Sequence, residues 1–226
     1  MGQNEPLSWE KRGRDALAAR EYIEAIDFFT EAICIAPGNP SLYVQRCLAY
    51  AALKDGTSAL ADADAAIGLG RNDGSGFFAR GLAHRVRGDY KAAARNFAEA
   101  CYYCPNNASL FIVLADAHRF LNEPEKALQS ASKAIELAPD NSNAWFSIGQ
   151  AHLIKGAISD AVRCFTRSIE LDTESPYARA ARSTAYYKTG DFYRALVDAQ
   201  DAIRIAPNYG YGRAARGWAL YAALSI

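Results

Sequence analysis

Three histidines, His84, His118 and His152, stand in the settings "LAHRVRGDY", "ADAHRFLNE" and "GQAHLIKGA", each 34 residues from the next. They are the only histidines in the chain. Imidazoles at even spacing could ligate a metal ion or relay a proton. A second candidate is "CYYC", Cys101 and Cys104, a thiol spacing that serves redox centres and zinc sites. The other cysteines, Cys34, Cys47 and Cys164, are scattered, so no second thiol pair joins the first. A redox motif of this spacing belongs beside a strand–helix unit, and no such pattern accompanies it. Acidic stretches such as "ADADAA" read as solvated helix faces or turns. No Gly-rich phosphate loop, nucleophile elbow or metal-protease signature occurs. The expectation is a protein without catalytic residues, cofactor or metal.

The period of 34 decides what must position these residues. Cutting the chain at Pro6, Pro40, Gly74, Ala108, Ser142 and Pro176 gives six blocks, 6–39, 40–73, 74–107, 108–141, 142–175 and 176–209. The twentieth residue of every block is alanine: Ala25, Ala59, Ala93, Ala127, Ala161 and Ala195. The twenty-seventh is small: Ala32, Ala66, Ala100, Ala134, Ser168 and Ala202. So is the eighth: Gly13, Cys47, Gly81, Ala115, Gly149 and Ser183. The fourth is aromatic in five blocks, Trp9, Tyr43, Phe77, Phe111 and Trp145, then Arg179. Position twenty-four alternates Phe29, Ala63, Phe97, Ala131, Phe165 and Ala199, which hints at a repeating unit of two blocks.

Apolar residues three and four apart mark helices with one buried face. Small residues at fixed places let two helices approach closely. Turns such as "RGDY" and "KTGDF" place Gly88 and Gly190 where a left-handed backbone is needed. Pro37, Pro105, Pro139 and Pro207 stop the second helix. Each block is therefore a helix–turn–helix hairpin that buries its faces only by stacking on its neighbours.

These residues resemble the tetratricopeptide repeat family, with "WEKRGRDALAAREYIEAIDFFTEAICIAPGN" a nearly complete example. The resemblance covers residues 6 to about 209 and implies an all-α, right-handed superhelical solenoid of six units within one domain, 6–226. A seventh first helix, 210–226, would cap it, with Gly217 at the small position. Arg179 replaces an aromatic, and Arg71 and Thr173 replace prolines. Block two looks the loosest.

The histidines all fall on the eleventh position, where neighbouring blocks carry Tyr50 and Tyr186. Successive first helices should lie about 8–10 Å apart. His84 and His152 are then too distant to share an ion bound at about 2 Å. No carboxylate or thiol recurs directly beside all three, so they read as packed repeat residues.

The resemblance implies a protein-binding scaffold whose first helices line a concave groove through positions 2, 5, 9, 12 and 13. Here those columns give Val44, Leu48, Phe78, Leu82, Arg85, Ile112, Asp116, Arg119, Phe146 and Gln150. Phe78, Ile112 and Phe146 form an apolar row flanked by Arg85 and Arg119. Exposed apolar groups on such a face suit a partner peptide or helix carrying an acidic group. The alternative is that neighbouring helices cover them. Co-chaperones of the family clamp a chaperone's terminal carboxylate with Lys, Asn and Arg side chains. The matching positions here are Glu10, Arg14, Gln45, Ser75 and Ala79, so that clamp is not expected. An asparagine ladder, as in glycosyltransferase repeat domains, is missing as well: position six reads Lys11, Gln45, Ala79, Val113, Ser147 and Ala181.

A second reading is an assembly subunit that self-associates or joins a multi-protein complex through its ends or convex face. "GWALYAALSI" ends apolar, so Trp218 and Tyr221 are candidates for self-association through the C-terminal helix, unless the segment belongs to a longer chain. With 25 basic and 25 acidic residues, the chain lacks the overall charge of a nucleic-acid binder. The start carries no signal-like apolar run, and no segment has the length of a membrane span. Its Met-Gly beginning has Pro6 where a myristoylation pattern wants Ser or Thr. The expected setting is cytoplasmic, with the nucleus open.

Overall fold

A computed structural model describes residues 6–70 and 73–224. The Met-Gly start, Arg71 and Ser225–Ile226 lie outside the described residues. Thirteen helices and no strand occur among those described. Six pairs follow the blocks: α1 (Pro6–Ala18) with α2 (Tyr22–Ile35), α3 (Pro40–Ala52) with α4 (Gly56–Gly68), and α5 (Ser75–Val86) with α6 (Tyr90–Tyr103) come first. Then come α7 (Ala108–Phe120) with α8 (Pro124–Leu137), α9 (Ser142–Lys155) with α10 (Ile158–Leu171), and α11 (Pro176–Lys188) with α12 (Phe192–Ile205). Helix α13 (Gly210–Leu224) has no second helix after it among the described residues. The chain gathers into two compact units, Met1–Leu110 and Phe111–Ile226.

Within the first unit α2 packs between α1 and α3, and α4 between α3 and α5, while α6 packs on α5. In the second unit α9 packs on α8 and α10, α11 on α10 and α12, and α13 on α12 and α11. Helices α2, α4, α10 and α12 are thus each sandwiched by their own first helix and the next one, as a stacking repeat requires.

All six hairpin turns close alike. Arg20, Lys54, Gly88, Asn122, Gly156 and Gly190, each the fifteenth residue of its block, have φ between 57° and 82°. The N–H of the following residue donates to the carbonyl of the eleventh, for example Asp89 to His84 and Glu123 to His118, both at 3.0 Å. That six-to-one bond around a left-handed residue is the Schellman ending of a helix. Block two, the loosest in sequence, forms its hairpin as fully as the others. Asp55 caps α4 by accepting from the Ser58 N–H at 3.0 Å.

The alternation at position twenty-four is a volume lock. In blocks one, three and five the eighth residue is glycine, and an added Cβ would lie 2.7 Å from Phe29, 2.5 Å from Phe97 and 2.6 Å from Phe165. The three rings are fully buried. In blocks two, four and six the eighth residue is Cys47, Ala115 or Ser183, and the ring shrinks to Ala63, Ala131 or Ala199. A Cβ at position eight and a ring at position twenty-four exclude one another, so each block carries one or the other, as close packing demands.

Position four anchors the blocks in several ways. Tyr43 Oη donates to the Pro37 carbonyl at 3.1 Å and Trp145 Nε1 to that of Pro139 at 2.7 Å. Phe77 stacks on Tyr103 instead, with ring centroids 5.4 Å apart. Arg179, the outlier, donates to the Ser175 carbonyl at 3.3 Å.

Candidate functional site

The first helices carry the groove columns, and the structure sorts their residues by availability. In the first unit Val44 and Leu82 are each only 7% exposed and belong to the packing. Val44 sits in one core cluster with Ala79 and Ala83 of α5, whose small side chains let α5 close over it. Leu48, Phe78 and Arg85 are half-buried. Phe78 leans on Phe97 of its own block, centroids 6.1 Å apart. Its other side borders a cleft of about 330 Å³ that it shares with Ser75, Cys104, Asn107, Ser109 and Leu110. Ser75 and Phe78 are positions two and five of block three, and Ser109 is position two of block four. The cleft therefore opens on the expected groove columns.

In the second unit Ile112, Asp116, Arg119, Phe146 and Gln150 are all half-buried. Phe146 packs on Phe165 with centroids 5.8 Å apart, as Phe78 does on Phe97. Arg119 donates from Nε to Asp116 at 3.3 Å, and its guanidinium lies 4.0 Å from the ring centre of Phe120. That arginine is already partnered, so it offers an incoming carboxylate less than a bare guanidinium would. Arg85 has no ion pair among the described residues.

Farther along this unit an aromatic run covers the same columns. Tyr177 meets Tyr209, Tyr209 meets Tyr211, and Tyr211 meets Trp218 at right angles, centroids 5.0, 6.1 and 6.0 Å apart. Tyr211 Oη lies 3.0 Å from Thr184 Oγ1. Burial, then the nearby tyrosines, push the Tyr209 phenol up to about 12, so it stays protonated. Trp218 is 44% exposed and Tyr221 75%.

The positions of the chaperone clamp hold other contacts. Glu10 pairs with Arg14 at 2.9 Å across one helical turn, and Ala79 is fully buried. Two of the three histidines stand beside a carboxylate five residues on, which their sequence settings contain. His118 Nδ1 is 2.8 Å from Glu123, and His84 Nδ1 is 3.8 Å from Asp89. Block five has Ala157 where those carboxylates stand, and the buried Nδ1 of His152 has no hydrogen-bond partner. No group of three His, Cys, Asp or Glu able to hold a metal occurs among the described residues. Burial pushes the Cys101 thiol up to about 11, with the neighbouring Cys104 adding to it. Cys104 Sγ instead donates to the Asp73 carbonyl at 2.9 Å. A thiol held in that form is a poor nucleophile.

One device escaped the sequence reading. "ADADAA" is solvated only in part: Asp64 is exposed, whereas Asp62 is buried, and Arg46 grips it through Nε and Nη2 at 2.8 and 2.7 Å. The third nitrogen, Nη1, reaches Thr30 of the preceding block at 2.9 Å. Arg182 repeats the grip on Asp198 at 2.7 and 2.8 Å and on Thr166 at 3.0 Å. Arg80 makes a weaker version with Asn96 at 2.6 Å and Asp64 at 3.3 Å. In each case the seventh residue of a block binds the twenty-third. The signal was present as Arg followed sixteen residues later by Asp or Asn in blocks two, three and six.

A family model for the tetratricopeptide repeat matches residues 112–176. Hsc70-interacting protein 1 of Drosophila melanogaster is 34% identical over 86 residues, a match spanning 38% of this chain and 23% of that relative. Among solved structures, the APC/C hetero-tetramer Cut9-Hcn1 aligns over 97% of this chain and 43% of that one, with TM-score 0.84 and 15% identity. YrrB, a TPR protein with an unusual peptide-binding site, aligns over 84% of this chain and 97% of that one, with TM-score 0.60 and 24% identity. At these identities the likeness is one of fold. No described helix is long and apolar enough to cross a membrane.

Proposed function

This chain belongs to the tetratricopeptide repeat family, and we propose that it is a protein-interaction scaffold that takes a peptide or helix of a partner on its groove columns. The observation that carries the reading is the cleft beside Phe78. An aromatic side chain on a groove column keeps one side against Phe97 while the other borders about 330 Å³ of open space. In the second unit the residues at position five, Ile112 and Phe146, are also half-buried, as is Gln150 at position nine. Apolar anchors with a few polar groups are the usual composition of a recognition site.

The similarity to an Hsc70-interacting protein supports a protein partner without fixing its identity. The carboxylate clamp is not the mode proposed, because Glu10 is negative and Ala79 lies in the core. The occupant that fits is an apolar segment with a polar or acidic flank, which Arg85 is free to meet. Scaffolding is the role that this fold supports.

The test is selection of peptides on the wild-type chain from a random library. Selected peptides are expected to lose about tenfold or more in affinity for Phe78→Glu and for Ile112→Glu, as hot-spot truncations do. Circular dichroism melting of each variant separates lost binding from lost folding. Peptides that bind folded Phe78→Glu and Ile112→Glu as tightly as wild type refute the groove.

A further inference from the structure

Blocks two, three and six each set an arginine of the first helix against the second, and in block three the grip is incomplete. Arg46 commits Nε and Nη2 to the two oxygens of Asp62 and Nη1 to Thr30. Arg182 does the same with Asp198 and Thr166. Arg80 meets Asn96 instead, whose one oxygen accepts from Nε at 2.6 Å. The Asn96 amide nitrogen is itself a donor and turns to the Ala92 carbonyl at 2.9 Å. Nη1 reaches Asp64 at 3.3 Å, where the other two arginines meet threonine. Nη2 of Arg80 is left without a hydrogen-bond partner among the described residues. The Arg80 side chain is also the most exposed of the three, 30% against 17% and 19%.

Space opens at the same place. The ring at position eleven is Tyr50 beside Arg46 and Tyr186 beside Arg182, 6.0 and 5.8 Å away, but the smaller His84 in block three. A cleft of about 540 Å³ lies there between α4, α5 and α6, with Arg80, His84 and Asn96 on its wall and Leu60 and Ala92 as its apolar part. Phe77 covers one face of the Arg80 guanidinium, its centre 5.4 Å away, so the open edge is what a ligand can reach. Asp64, Asp89, Arg95 and Glu99 complete the lining. Asp89 is committed to capping α6, where it accepts from the Ala92 N–H at 2.9 Å. Arg95 and Glu99 are exposed and have no ion pair among the described residues. The uncommitted groups thus have both signs. Arg80 Nη2 and Arg95 call for a carboxylate, and Glu99 with the exposed Asp64 calls for a cation. A phosphate would bring two negative charges to a wall that already holds three carboxylates.

We infer that this cleft is a binding site for a small zwitterion, a free α-amino acid. Its carboxylate bonds Arg80 Nη2 and Arg95, supplying the oxygen that Asn96 lacks, as charge-assisted hydrogen bonds to guanidinium do. Its ammonium group faces Glu99 and Asp64, and its aliphatic part lies on Leu60 and Ala92. The volume is within the range of small-molecule sites. The cleft shares no residue with the groove columns, so the inference does not rest on the groove reading.

The probes are the common L-amino acids, each titrated into the full chain by isothermal calorimetry up to about 10 mM. At least one is expected to bind saturably. Its N-acetyl methylamide, which carries neither charge, should lose about tenfold or more in affinity. Asn96→Asp supplies from within the oxygen that the ligand brings and rebuilds the grip of blocks two and six. Its melting temperature should rise while its affinity for the amino acid falls about tenfold or more. Loss of binding by a more stable protein is not loss of fold. Arg80→Lys keeps the charge without the fork and should weaken binding by a similar factor. Binding of none of the amino acids, or equal binding by wild type and by folded Asn96→Asp and Arg80→Lys, overturns the site. A lower melting temperature for Asn96→Asp shows that Arg80 lacks no oxygen and overturns it as well. A blocked derivative that binds as tightly as the free amino acid overturns the zwitterion.

Discussion

Gly149 and Phe165 are two halves of one packing decision, separated by sixteen residues. Block four solves the same space with Ala115 and Ala131. Gly149→Ala alone pushes a Cβ to 2.6 Å from the Phe165 ring and should cost about 1–3 kcal/mol by overpacking. Phe165→Ala alone leaves a cavity and should cost about 3–5 kcal/mol. Combined, they approach the block-four solution, so urea denaturation should give a double mutant more stable than the sum of the two costs. Additive losses would mean that the two residues are not coupled. His152 poses a polar version of the same question. Burial holds His84 and His152 below the ordinary histidine pKa. The unfolded chain therefore takes up protons first as pH falls through about 6.5, and stability drops across that window. Ala157→Asp places a carboxylate where Asp89 and Glu123 stand, caps α10 and partners the bare Nδ1. Thermal melts should show a gain of about 1 kcal/mol at neutral pH and a shallower loss on acidification. An unchanged acid slope would show that His152 does not sense that position.

At the scale of elements, the Arg46–Asp62 and Arg182–Asp198 pairs tie each second helix to its first, with Thr30 and Thr166 tying in the preceding block. Hydrogen bonding to Asp62 raises the Arg46 pKa. For Arg182, burial is the largest influence and opposes the charge, and the hydrogen bond and charge of Asp198, with Tyr186 and Asp201, together outweigh it. Removing one partner strands the other in a largely buried place, so Asp198→Ala should cost about 3 kcal/mol. Arg182→Met with Asp198→Leu should recover most of it. If Asp198→Ala is as stable as wild type in chemical denaturation, the pair is ornamental. The helices and their turns were legible in sequence because each block repeats one decision: alanine at twenty, small at eight, a left-handed residue at fifteen. Arg20 and Lys54 show the limit, since neither residue type announces the positive φ that the Schellman ending imposes on them. The arginine grips were not legible because an Asp within "ADADAA" differs from a solvated one only through what stands sixteen residues away. Val44 and Leu82 were read as groove surface from position alone. The small Ala79 and Ala83 bring α5 over Val44, an effect visible only once helices are packed.

For the whole molecule, a neutral chain with balanced charges leaves shape and apolar chemistry to select a partner. Phe78 beside its cleft and the tyrosines around Trp218 depart from the plain repeat. Hydrogen–deuterium exchange on the chain with and without a library-selected peptide tests the central claim most directly. Protection concentrated on α5, α7 and α9, with the second helices α6 and α10 unchanged, is the result predicted for a ligand on the groove columns. Protection confined to the second helices, with α5, α7 and α9 unaltered, would contradict it.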